Sequence, residues 1–68
     1  MDPNWTKIFT SSENYKIELL KGLLAENDIR AISINKKDSA YLFGEIELYV
    51  PFDQSLKARQ ILSKHKML

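Results

Sequence analysis

Cysteine is absent from this chain of 68 residues, histidine occurs once, and glycine and proline occur twice each. Without cysteine there are no disulfide staples, no thiolate zinc sites and no cysteine nucleophile. A single histidine, His65, leaves no histidine pair for a metal, and no cofactor is expected. Gly22 and Gly44 stand alone, so neither a phosphate-cradling glycine loop nor a dinucleotide fingerprint is present. No apolar run approaches the ~20 residues that cross a bilayer, and Met1-Asp2-Pro3-Asn4 is polar. The chain is therefore expected to carry no signal peptide and to reside in the cytoplasm. An excess of one charge sign is missing too: 10 basic and 9 acidic side chains leave a net charge of +1. A dedicated nucleic-acid binder usually shows a strongly basic face, so neither nucleic acid nor a membrane is expected as a partner.

What is present is a globular composition, 44% hydrophobic and 28% charged. The length allows one domain, spanning residues 1–68. A domain of this size buries only about 60% of its extended-chain surface, and its core rarely supplies more than ~3–5 kcal/mol. No second domain is expected to close over a substrate.

The run Trp5-Thr6-Lys7-Ile8-Phe9-Thr10 is short, aromatic and β-branched, as a strand is. Ser11 or Ser12 can cap the element that follows, and Glu13 places negative charge at its start. From Asn14 to Glu26 the spacing turns helical: Ile17, Leu20 and Leu24 form an apolar stripe that Leu19 and Leu23 widen. Gly22 costs roughly 1 kcal/mol in mid-helix and is expected to allow close packing on a sheet. Asn27-Asp28 tolerates the left-handed conformation that ends helices.

Ile29 to Asn35 reads as a second strand, with Arg30, Ile32 and Ile34 on one face and Ile29, Ala31 and Ser33 on the other. The clearest alternation is Glu45-Ile46-Glu47-Leu48-Tyr49-Val50, a strand with Ile46, Leu48 and Val50 buried. Pro51 is expected to stop it and Asp53 to cap a last helix, in which Ala58, Ile61, Leu62 and His65 share a face. The order β-α-β-β-α is most of a ferredoxin-like split β-α-β unit. A right-handed crossover leaves a gap for the third strand, so the class is α+β with a three-stranded antiparallel sheet in order 1-3-2. Both helices then lie on one face. The first strand is left as an open edge, and the other sheet face has no helical cover.

Catalytic candidates are few, and the chain is read as no enzyme. His65 sits among Lys64 and Lys66 in a last helical turn, where a cation is favoured. Glu45 and Glu47 lie about 7 Å apart on one strand face, yet acid–base work needs an enclosed site that shifts one pKa. If Ile8 points to the helices, Trp5, Lys7 and Phe9 share the open face with Glu45, Glu47 and Tyr49. That mixture of aromatic and charged groups suits a protein partner or a second copy of the chain. In the alternative facing, Trp5 and Phe9 fill the core. The long connection from Asn35 to Gly44 holds Lys36, Lys37, Asp38, Ser39 and Tyr41, which suit a small anion or a partner's carboxylate.

The segment Ile34 to Val50, INKKDSAYLFGEIELYV, resembles a bacterial domain family of unknown function labelled as prokaryotic signal-transducing proteins. The likeness extends to Trp5–Thr10, to Ile17-Glu18-Leu19-Leu20-Lys21 and to the closing Ala58–Leu62. The family usually has glycine where Asp28 stands here. The resemblance implies a ferredoxin-like fold related to nitrogen-regulatory signalling proteins. This chain lacks their long nucleotide-binding loop, so no nucleotide contact is carried over to it. The resulting expectation is a non-enzymatic regulatory or interaction domain acting through the sheet edge, at Trp5 and Phe9, and through the 35–44 loop. The alternative is a small-metabolite sensor built on that same loop.

Overall fold

A computed structural model of the chain describes residues 4–36 and 45–65. The elements run β1 (Trp5–Ser11), α1 (Asn14–Glu26), β2 (Ile32–Asn35), β3 (Ile46–Pro51), one 3₁₀ turn (Phe52–Gln54) and α2 (Ser55–Lys64). The sheet is antiparallel throughout, in the order β1-β3-β2. This is the α+β arrangement that the apolar periods and the crossover rule lead to.

Ile46, Leu48 and Val50 alternate inward along the central strand and are at most 3% exposed. They form one cluster with Ile8, with Ile17, Leu20 and Leu24 of α1, with Ile29, and with Ala58 and Leu62 of α2. Every member is aliphatic, and no described polar or charged side chain is buried. Burial at roughly 25 cal/mol per Å² of apolar surface is what holds so small a domain together. Leu23 packs against this cluster as expected, whereas Leu19 remains 59% exposed. A stripe at i, i+3 and i+7 is enough to cover one face of a three-stranded sheet, and Leu19 falls beyond its edge. Gly22 also departs from expectation. A Cβ built there meets nothing within 4 Å, so this glycine faces open space and not the sheet.

The two helix starts use devices other than side-chain caps. Glu13 is the N-cap of α1 and makes no capping bond; Ser11 Oγ accepts the Glu13 N–H at 3.0 Å and so shapes the turn one step earlier. Before α2, Asp53 does not cap as expected. It lies inside the 3₁₀ turn, Gln54 takes the N-cap position, and the Ser55 hydroxyl donates to the Phe52 carbonyl at 2.8 Å. The strand β3 stops at Pro51 as expected, with Pro51 itself its last residue, paired opposite Trp5. Its missing N–H is harmless there, because β2 begins only opposite Tyr49 and no ladder partner stands beside Pro51 on that side.

The second strand starts three residues later than its sequence pattern implies. Asp28 adopts φ 62°, Ile29 N–H donates to Leu24 C=O, and Asp28 N–H donates to Ala25 C=O, both at 3.0 Å. These two bonds form a Schellman motif, in which the residue after the left-handed one packs back on the helix. Ile29, at 2% exposure, is therefore a core residue of the α1 terminus and not of the strand. The Gln54 side-chain amide donates to the Asp28 carbonyl at 3.2 Å and ties this turn to the start of α2.

Candidate interaction surface

Residues directly opposite each other in a ladder share a sheet face. Tyr49 stands opposite Ile32 on one side and Lys7 on the other, and Glu47 stands opposite Ile34 and Thr10. With Trp5 opposite Pro51, these residues make up the helix-free face. Trp5, Ile32, Ile34, Glu47, Tyr49 and Pro51 on it are half-buried by their neighbours, and Lys7 and Thr10 are exposed.

The register of β1 against β3 slips between Lys7 and Phe9, so that one extra residue, Ile8, is accommodated as a β-bulge. Ile8 points into the core at 8% exposure, and Phe9, opposite the fully buried Leu48, packs against the same core. Neither facing of the first strand inferred from strict alternation is therefore complete. Trp5 and Lys7 lie on the open face, as in the first facing, whereas Phe9 is half-buried on the helix side and packs against the core, as in the second. A bulge puts two consecutive side chains on one side, and simple period-2 counting fails across it.

One polar cluster organises the open face. Lys7 Nζ lies 3.5 Å from Glu47 Oε2, and the Tyr49 hydroxyl donates to Glu47 Oε1 at 2.8 Å. The Tyr49 bond is the largest influence on the Glu47 carboxyl and holds it below the ordinary carboxylate value; desolvation, next in size, pulls it up, and the charge and hydrogen bond of Lys7 and the charge of Lys36 add to the lowering. The same bond, with some desolvation, pushes the Tyr49 phenol up. An acidic strand residue on the open face is thus a bound acceptor between the Tyr49 hydroxyl and a lysine.

The main chain of β1 offers a second feature. Phe52 N–H donates to Asn4 C=O at 2.6 Å, which turns the Asn4 main chain toward β3. Antiparallel alternation then turns the N–H and C=O of Trp5 and Lys7 to the outer side. Beyond the bulge the same alternation turns Thr10 outward. No described strand pairs with that side.

Of the other residues singled out from the sequence, Asn35 is the exposed last residue of β2, and Lys36 follows it with its N–H bonded to Glu45 C=O at 3.0 Å. Lys37, Asp38, Ser39 and Tyr41 lie outside the described residues. Ser11 and Asn35 both pair with Ile46, so the root of that loop and the far end of β1 stand at the same end of the sheet. Trp5 belongs to the opposite end.

Ile32 and Ile34 are the surface residues that sequence reasoning left unplaced. Their alternation was visible, but the face they occupy depends on pairing with Glu47 and Tyr49. A shallow groove of about 730 Å³ runs between α1 and the segment 28–32, lined among others by Glu18, Lys21, Arg30 and Ile32. None of the residues expected to bind a ligand lines it. Among the described residues no group of three or more His, Asp or Glu side chains is placed to hold a metal. No described helix is long and apolar enough to cross a membrane.

No protein-family model, curated protein or solved structure matches this chain.

Proposed function

We propose that this chain is a small, cytoplasmic, non-enzymatic regulatory or interaction domain of the kind its sequence resembles. It binds an extended segment of a protein, from a partner or from a second copy, along the outer side of β1. The single observation that carries this reading is the position of β1 as a seven-residue edge strand, with the main-chain groups of Trp5, Lys7 and Thr10 turned outward. An added strand gains main-chain hydrogen bonds there, and the open face beside it supplies the side-chain contacts that select a sequence. Trp5 and Tyr49 are the aromatic anchors of that face, and Lys7 and Glu47 set its polarity. Binding also runs through the 35–44 segment, whose described first residue, Asn35, stands at the Ser11 end of the sheet.

The test is a proline at an outward donor. Lys7→Pro removes an N–H from the outer edge and leaves the ladder with β3 intact, whereas Phe9→Pro strikes the bulge and the core. The Lys7→Pro chain, confirmed as folded by its amide NMR spectrum, is expected to lose the protein that the unmodified chain captures. A folded Lys7→Pro chain that captures the same protein equally well overturns the edge reading.

A further inference from the structure

We propose that two copies of this chain pair through β1, antiparallel about a two-fold axis through Thr6, with Trp5 of each copy opposite Lys7 of the other. This rests on the edge reading above and names its occupant as a second copy.

The register follows from which groups face outward. Trp5 and Lys7 present N–H and C=O to the outer side, separated by Thr6, whose groups face β3. Setting Trp5 against Lys7 of the second copy makes two hydrogen-bonded pairs, and so four main-chain bonds, around a central Thr6–Thr6 pair. The alternative register with Lys7 on the axis sets lysine against lysine, which like-charge repulsion disfavours. The bulge at Ile8 breaks the edge one residue later and confines the pairing to this short stretch. A lysine and a bulge are the usual protections against open-ended edge aggregation. Here they leave one closed, symmetric solution.

Side-chain chemistry favours that solution. A two-fold axis perpendicular to the sheet keeps both open faces on one side. Cross-strand neighbours then form the row Ile32, Tyr49, Lys7, followed by Trp5 and Pro51 of the second copy. The Lys7 side chain, 50% exposed in the single copy, lies between its own Tyr49 and the facing indole. A cation flanked by aromatic rings is a favourable complement, and its aliphatic stem covers the ring. Thr6 meets its own counterpart on the helix face, where no charge stands opposite a like charge. Such a contact is far smaller than the ~1,600 Å² of a stable complex, so the dimer is weak and concentration-dependent.

The absence of cysteine makes a clean test possible. In this register the two Thr6 residues form a non-hydrogen-bonded pair, with Cα atoms about 4.5 Å apart, within disulfide reach. With the bulge counted, Thr10 is displaced from its counterpart by six pairing steps, roughly 20 Å along the strands. Under mild oxidation Thr6→Cys is expected to form a disulfide-linked dimer at least about tenfold faster than Thr10→Cys at equal concentration. Adding Trp5→Ala to Thr6→Cys should slow that reaction several-fold while the amide spectrum stays that of the folded domain. Sedimentation equilibrium of the unmodified chain should show mass rising with concentration. Equal cross-linking at the two positions, or a monomer throughout, overturns the self-pairing. If that happens while Lys7→Pro still abolishes capture of another protein, the edge reading stands without it. If Lys7→Pro has no effect either, both fall.

Discussion

The Tyr49 hydroxyl donates a 2.8 Å hydrogen bond to Oε1 of Glu47, two residues earlier on the same face of β3. This bond is the main reason the Glu47 carboxyl lies below its ordinary value. A carboxyl lowered in the folded state stabilises the protein above the unfolded pKa, and that contribution is lost as the pH falls through the folded one. Tyr49→Phe removes the donor and leaves the ring. NMR titration of the Glu47 side chain should show its pKa moving up toward the ordinary value. The variant should be less stable than the parent above the unfolded carboxylate pKa and should lose less stability as the pH falls below it, because its folded and unfolded carboxyls then titrate together. An unchanged titration refutes the role given to Tyr49.

Gly22 is exposed in the middle of α1, with open space where a side chain would go. Gly22→Ala is expected to raise stability by about 0.5–1 kcal/mol, because alanine restricts the unfolded chain and favours the helix. In a domain of this size that amounts to a few degrees in Tm, roughly 4–8 °C per kcal/mol. Thermal unfolding followed by circular dichroism measures it, and a fall in Tm would show that the helix needs the glycine after all.

Asp28 holds a left-handed conformation that costs a residue with a Cβ about 1 kcal/mol. All its stabilising bonds run through the main chain, from its own N–H, from Ile29 N–H and from Gln54 to its carbonyl. Asp28→Gly keeps each of them and is expected to stabilise by up to about 1 kcal/mol. Urea unfolding gives the value directly; a loss of stability would mean that the Asp28 side chain contributes something beyond its backbone.

Leu48 is fully buried on the central strand, between the bulge of β1 and Ser33 of β2. Leu48→Ala is expected to cost ~2–5 kcal/mol, comparable to the whole stability of a core this size. The variant should be largely unfolded at 37 °C, with collapsed amide dispersion in its NMR spectrum. A cooperative transition near that of the parent would mean the site can collapse around the void.

Much of the molecule was legible from local pattern. The α1 stripe of Ile17, Leu20 and Leu24, the inward set of Ile46, Leu48 and Val50, and the left-handed turn at Asp28 each follow from period or from a residue's own preference. The strand order 1-3-2 followed as well, since handedness of the crossover leaves few choices. The periodic stripes and the Asp28 turn depend on neighbours within one or two turns of chain, so the order of residues determines them.

The surface was decided by tertiary structure. Phe9 packs against the core because Ile8 is an extra residue before the Phe9–Leu48 pair, and a bulge is a property of two strands distant in sequence. Ile32 and Ile34 could be grouped by alternation but not assigned to a face until paired with Tyr49 and Glu47. Ile29 left the strand because its buried contact is with the helix that precedes it. Side-chain period tells which residues travel together; only the register between strands, set by long-range packing, tells which side they take.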